Sequence, residues 1–309
     1  EGLTWRAGVS PTAGDLVAGL ILIFLVIEAT RRVIGWPLIL VTLVFALYAF
    51  FGDRAPGVFA GRSYDYERMV SHIFSVDGIY GIPIGASATF VYLFILFGAF
   101  LRASRAGDLF IDMAYALAGR ARGGPAKVAI LASSLFGTIS GSGIANVVTT
   151  GTFTIPLMKR VGYKPYFAGA VEAVASTGGQ IMPPVMGAGA FLMSEMISVP
   201  YSQIAIAAAL PALLFYLAVY WMVDFEAAIN GLKGLPASQL PKTSDVLRRW
   251  GHLSVPIAVL LYALLVERAT PIRSALLSMG TAVIVSWFRR ETRMGWKQLV
   301  KALEEGARG

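Results

Sequence analysis

The sequence predicts an all-α integral membrane protein of about seven transmembrane helices plus one re-entrant helical hairpin. Three observations lead there. Of 309 residues, 56% are hydrophobic and only 14% charged, against about 25% charged in an ordinary soluble domain. The apolar residues fall in repeated blocks long enough to cross a hydrocarbon layer about 30 Å thick. One block is too long for a single crossing, is interrupted by glycines, and carries basic residues at both ends. A soluble enzyme is excluded. The absence of cysteine removes disulfides, thiolate metal sites and cysteine nucleophiles, and His72 and His252 are the only imidazoles, both expected at membrane boundaries.

Blocks at about 15–34, 36–51, 82–101, 165–198, 203–223, 252–267 and 274–288 read as single crossings. Their separators carry helix-ending residues: Gly35 and Pro37 between the first two, Pro200 before 203–223, Thr270-Pro271 between the last two. The block 126–158 is different, because a helix of that length would measure about 50 Å at 1.5 Å per residue. Ser140-Gly141-Ser142-Gly143 at its centre combines two glycines with two serines that compete for backbone hydrogen bonds, and marks a break. Each arm is then too short to cross alone.

Charge tests this assignment. A net +8 would point to nucleic acid in a soluble protein, but in a membrane protein placement decides topology. Arg120, Arg122 and Lys127 precede the long block, while Lys159, Arg160 and Lys164 follow it, so both ends belong on the cytoplasmic side and the block returns on itself. With that hairpin in place, 20 of 26 basic residues fall on one side. The six left outside are Arg6, Arg54, Arg62, Arg68, Arg268 and Arg273. Nucleic acid is not an expected partner; the lipid bilayer is.

Two further stretches are amphipathic without spanning. Residues 64–80 suit an external interfacial helix, and 108–119 a cytoplasmic one directly before the hairpin. The final MGWKQLVKALEEGARG is again amphipathic. The chain starts at Glu1 without a signal-peptide pattern and stops as though a comparable unit should follow, so a fragment is expected.

Irregular backbone at membrane depth is tolerated only where protein or a hydrated cavity covers it, which makes a broken helix a pointer to a binding site. At the hairpin tip the first arm points carbonyls and the second amides toward the break. Ser140, Ser142 and Asn146 add neutral oxygens that suit a hard ion such as sodium, and Ser142 can also cap the second arm. The competing reading makes Gly137 and Gly141 a small-residue packing face, with the serines bonded back to their own helix. The second candidate is STGGQIMPPVMGAG, residues 176–189, where two glycines and two consecutive prolines should unwind the helix beside the oxygens of Ser176, Thr177 and Gln180. A simple proline kink is the alternative. Glu172, one to two turns into that span, is an ion or proton ligand or a structural partner of a neighbouring group, with slight preference for the structural role. Asn146, Thr149, Thr150 and Thr152 line the hairpin's protein-facing side or bond to their own helix. Glu28 is expected at the interface with Arg31 and Arg32.

No GxxxxGK[ST] loop is present, so ATP hydrolysis is not expected. No nucleophile, base and orienting group can be assembled, so the chain is read as a non-enzyme without catalytic residues or cofactors.

The stretch from Phe136 to Glu195, with ISGS, IPLMKRVGY and GGQIMPP in that order, resembles the large membrane subunit of tripartite ATP-independent periplasmic (TRAP) transporters, and most closely the fused permeases of the TAXI subtype. The likeness continues upstream through GIPIGASATFVYLFILFGAFL and RARGGPAK and downstream through KGLPASQLPK, and so covers nearly the whole chain. It implies a sodium-coupled symporter of the bacterial inner membrane that imports a small carboxylate delivered by a periplasmic substrate-binding protein, by an elevator mechanism. Carried over residue by residue, Ser140, Gly141, Ser142 and Asn146 form the first ion and substrate tip, with Ser140, Ser142 and Asn146 as sodium ligands. Gly178, Gly179, Gln180, Met182 and Pro183 form the unwound partner. The implied organisation is scaffold helices and an external helix in 1–80, a scaffold helix and arm helix in 81–124, half a transport domain in 125–200, and scaffold helices with the start of a second arm helix in 201–309. This is one inverted repeat of an elevator-type transporter. The second repeat and the small membrane subunit that the resemblance calls for are not found in this sequence. A non-transporting membrane scaffold, its breaks serving packing and its external helix docking another protein, is the alternative.

Overall fold

The computed structural model describes residues 11–308, which form helices and, among the described residues, no strand. Arg6, counted above with the external charges, lies outside them. The chain divides into two compact units, Glu1–Gly85 and Ala86–Gly309.

In the first unit, α1 (Ala13–Val33) begins with a reciprocal cap: Asp15 N–H donates to Thr12 Oγ1, and Thr12 N–H to the Asp15 carboxylate. Glu28 near its end is paired with both Arg31 and Arg32 at 2.7 and 2.8 Å, as an interfacial cluster should be. Gly35, with φ +93, turns the chain into α2 (Trp36–Phe51). The interfacial helix expected over 64–80 is shorter than that: α3 spans Tyr66–Ile73 and packs against Gly19 of α1. After it the Ser75, Asp77 and Gly78 turns close the chain, with Ile79 N–H bonded back to the Ile73 carbonyl.

Helix α4 (Ile82–Ala103) is 22 residues of apolar sequence. The second unit takes it up at Ala86 and continues with the amphipathic α5 (Ala106–Ala118), the arms α6 (Gly124–Ser140) and α7 (Gly143–Arg160), and α8 (Pro165–Gly178). Then follow α9 (Ala188–Ile197), α10 (Tyr201–Ile229), α11 (Thr243–Trp250), α12 (Val255–Leu261), α13 (Pro271–Ser286) and α14 (Trp296–Arg308). The core runs from Phe94, Phe97 and Leu101 of α4 through Phe136 and Ile139 to Phe191 and Tyr201, whose rings stack 4.4 Å apart. Trp250 ties α11 to α5 through a 2.8 Å bond from its indole N–H to Asp112.

Among the described residues, five helical stretches are long and apolar enough to cross a membrane: Ala13–Val33, Trp36–Arg54, Ile82–Ala103, Tyr201–Ile229 and Ala237–Val266. Their outward faces carry apolar side chains such as Phe24, Phe45 and Phe225, as a lipid-facing surface requires. The chain is a multi-pass membrane protein. The block 165–198 is not one rod: it is α8, an irregular stretch and the ten-residue α9. Helix α10 runs past the expected end at 223, because Asp224 in its last turns meets cationic partners and need not reach water.

Candidate ion site at the hairpin tip

The long block folds back at its centre. Gly141 has φ +60, a left-handed conformation that ends α6, and its N–H bonds to the Gly137 carbonyl at 3.3 Å. Ser142 is extended and caps α7, its Oγ accepting from Ala145 N–H at 3.3 Å. The arms have 17 and 18 residues, about 25 to 27 Å each at 1.5 Å per residue, short of the hydrocarbon thickness.

Side chains between the arms confirm the antiparallel return. Ser133 and Thr150 stand equally far from the break, their hydroxyls 3.1 Å apart. Asn146 is fully buried between them: its Nδ2 donates to the Ser133 carbonyl at 2.8 Å, and its Oδ1 accepts from Thr150 Oγ1 at 3.3 Å. The Nδ2 bond ties α7 to α6, while the Oδ1 bond stays within α7. Thr149 and Thr152 bond only to carbonyls of their own helix, whereas Asn146 and Thr150 are buried on the protein-facing side, so each of the two readings holds for part of this polar stripe.

The hairpin's base is clipped as well. Tyr163, just after α7, donates to the Gly123 carbonyl just before α6 at 3.3 Å. Its burial pushes the phenol up to about 12, so it keeps the proton it donates. Lys127, expected to mark an aqueous flank, is buried: its Nζ lies 2.5 Å from Asp224 Oδ1 and 4.4 Å from the Tyr220 ring centre. Arg122 binds the same carboxylate, and that hydrogen bond pushes its guanidinium up.

The GGQIMPP stretch is unwound. After α8 come one 3-10 turn, Gly179–Ile181, and an irregular segment through Gly187, containing a cis Pro183-Pro184 bond and Met186 at φ +57. The hairpin and this segment meet at two glycines of the hairpin. A Cβ on Gly137 would strike the Gly179 backbone, and one on Gly141 would strike the Met186 carbonyl. Val185 N–H donates to the Thr138 carbonyl at 3.3 Å, Gly187 N–H to the Gln180 carbonyl at 2.7 Å, and Tyr201 OH to the Pro184 and Val185 carbonyls. The unwound backbone is therefore held by protein at Pro184 to Met186 and faces a cavity at Gln180, Ile181 and Gly187, the two settings in which irregular backbone is tolerated at membrane depth.

Gly141, Ser142, Gln180, Met186 and Gly187 line one cavity of about 960 Å³, completed by apolar residues of α9 and α10 and by Gln203. It contains no charged side chain among its lining residues. The C-terminus of α6 brings carbonyls to this cavity, and the N-termini of α7 and α9 bring amides. Ser140 is not among its lining residues; its hydroxyl donates to the Ser142 carbonyl at 3.4 Å. The other candidate residues lie elsewhere. Ser176 is buried and donates to Glu172; Thr177 bonds to the Ala173 carbonyl; Gly178 packs on Phe215 and Tyr216. Gly179 meets Gly137, Met182 packs beside the α8–α10 core, and Pro183 lines a second, apolar cavity with Phe110 and Thr138. Met186 and Gly187 belong to the candidate stretch 176–189 without being among the residues its composition singles out, and Gln203 lies outside it. Met186 carried no signal, since a left-handed methionine is legible only in the backbone.

Residues 21–309 match the family model "Tripartite ATP-independent periplasmic transporter, DctM component". The chain is 32% identical over 166 residues to the C4-dicarboxylate TRAP transporter large permease protein DctM of Pseudomonas aeruginosa, covering 53% of this chain and 38% of that protein. It is 30% identical over 207 residues to the isethionate TRAP transporter permease protein DctMQ of Oleidesulfovibrio alaskensis, 65% of this chain and 32% of the relative. With the sialic acid TRAP transporter large permease protein SiaM of Vibrio cholerae it shares 25% over 218 residues, 68% and 49% of the two lengths. The chain thus spans between about a third and a half of these relatives. With the family match extending over all but the first 20 residues, the chain belongs to the DctM-component family of TRAP transporter permeases.

Proposed function

We propose that this chain supplies one half of the transport machinery of a sodium-coupled TRAP permease in the bacterial inner membrane, importing a small carboxylate handed over by a periplasmic binding protein. Residues 125–200 form its half of the transport domain, a second inverted repeat and a small membrane subunit complete the assembly, and the subtype is TAXI. The relatives named for C4-dicarboxylates, isethionate and sialic acid support an anionic organic substrate.

The observation that carries this reading is the cavity shared by the hairpin tip and the unwound segment, where the ends of α6, α7 and α9 meet and no side-chain charge intervenes. Carbonyls with the Ser140 and Ser142 hydroxyls suit sodium, and amide ends suit a carboxylate. Movement of the hairpin with its unwound partner as one body relative to scaffold helices provides alternating access, driven by the sodium gradient without covalent chemistry.

The test is uptake of labelled small carboxylates into proteoliposomes that hold the permease assembly containing this chain, with binding protein outside. Uptake is expected under an inward sodium gradient and not when potassium replaces sodium. Uptake indifferent to both sodium and binding protein overturns the proposal.

A further inference from the structure

Glu172 is completely buried in the hairpin's flank. Its Oε1 accepts hydrogen bonds from Ser133 Oγ at 3.1 Å, from Ser176 Oγ at 3.0 Å and from Thr150 Oγ1, while Oε2 accepts from Thr154 Oγ1. Four hydroxyls from α6, α7 and α8 therefore converge on one carboxylate. Gly151 lets the backbone of α7 approach it, since a Cβ there would lie 3.1 Å from Glu172 Cγ.

No ion pair reaches Glu172 among the described residues. The charged and titratable groups on the elements packed around it are occupied or distant. Lys127 of α6 binds Asp224 of α10 and lies over Tyr220; Lys159 and Arg160 are exposed at the end of α7. On α10, Glu226 accepts from Asn230, Tyr216 donates to the Ala175 carbonyl, and Tyr201 donates to the Pro184 and Val185 carbonyls. Hydroxyl dipoles solvate a carboxylate but do not neutralise it, and buried charges are ordinarily paired or coordinated to a cation.

The threonines can turn their lone pairs toward such a charge. Thr150 Oγ1 also lies 2.8 Å from the Asn146 carbonyl, and Thr154 Oγ1 3.0 Å from the Thr150 carbonyl. When these protons turn to their own helix, hydroxyl lone pairs face the Glu172 oxygens. The result is a hard, all-oxygen donor set.

We propose that Glu172, with Ser133, Thr150, Thr154 and Ser176, binds a single small monovalent cation, either sodium or a proton, at a position separate from the hairpin tip. The inference rests on reading the chain as part of an ion-driven permease, and assigns that permease a coupling site outside its substrate cavity.

The experiment is thermal unfolding of the detergent-purified permease assembly, comparing wild type with Glu172→Gln, which keeps the shape and loses the charge. Each protein is scanned in sodium against potassium at constant ionic strength, and across pH in potassium. Loss in Glu172→Gln of a sodium-induced rise in melting temperature assigns sodium. A wild-type pH dependence that Glu172→Gln removes, with no sodium response at Glu172, assigns a proton. Thr154→Val, which keeps the residue's volume, should weaken the same response. Wild type and Glu172→Gln responding identically to both sodium and pH overturns the site. That result leaves the tip-based proposal standing, because the tip is tested by uptake and not by this difference.

Discussion

Gly137 of the first hairpin arm and Gly179 of the unwound segment meet backbone to backbone: a methyl group on Gly179 would lie 2.7 Å from the Gly137 Cα. Neither position has a side chain that could move aside, so the fit between hairpin and partner depends on hydrogen at both. Gly137→Ala and Gly179→Ala should each destabilise by about 1–3 kcal/mol through overpacking. Gly169→Ala, in α8 with nothing within 4 Å of the added carbon, should instead stabilise by about 0.4–1 kcal/mol. Thermal unfolding in detergent compares the three, and equal effects would remove the close-approach argument.

Gly141 combines a left-handed φ of +60 with contact against the Met186 carbonyl. Gly141→Ala should cost about 1–2 kcal/mol in conformation alone, and Gly141→Val more, because a branched β-carbon tolerates that region least. Both should reduce sodium-activated uptake more than they reduce the amount of folded protein. Full sodium activation in Gly141→Val would exclude the tip from the site.

Ser142 and Asn146 separate two roles that the residue types alone left together. Ser142→Ala removes a cap worth about 0.5–2 kcal/mol and a cavity-lining oxygen, so it should raise the sodium concentration needed for half-maximal uptake. Asn146→Ala removes the amide that donates across to the Ser133 carbonyl, a loss of about 0.5–1.5 kcal/mol, and should lower melting temperature without a selective change in sodium requirement. The reverse pattern would restore Asn146 to the ion site.

Asp224 receives both Lys127 and Arg122. Asp224→Asn strands the buried ammonium of Lys127, whereas Arg122→Gln leaves one partner in place. The melting temperature should fall more for Asp224→Asn, and Asp224→Asn combined with Lys127→Met should recover part of the loss. No recovery in the double variant would mean that Lys127 is stabilised by something other than this pair.

Much of the site was legible in the sequence because its signals are backbone signals. Glycine and serine at 140–143 and the glycines and prolines at 178–184 remove or compete for helix hydrogen bonds wherever they occur, so both breaks fall where expected. The direction of side chains was not legible. Asn146 faces the opposite arm and Ser176 faces Glu172, because helix rotation about each axis is set by packing that spacing alone does not encode. Lys127 reads as a flank charge only until Asp224, 97 residues later, is brought beside it. The stretch 165–198 had apolar residues enough for one crossing, yet its donors are missing where a rod would need them, and α9 is left with ten residues.

The rungs contributed by Ser133, Asn146 and Thr150 lie well away from the bend, and Tyr163 fastens the opposite end. Peeling the two strands of this hook apart would expose those groups to hydrocarbon with nothing to replace their mates. Any gating motion here is therefore carried by displacement of the hook as a stiff lever, and flexibility has to reside in the short connections on either side of it.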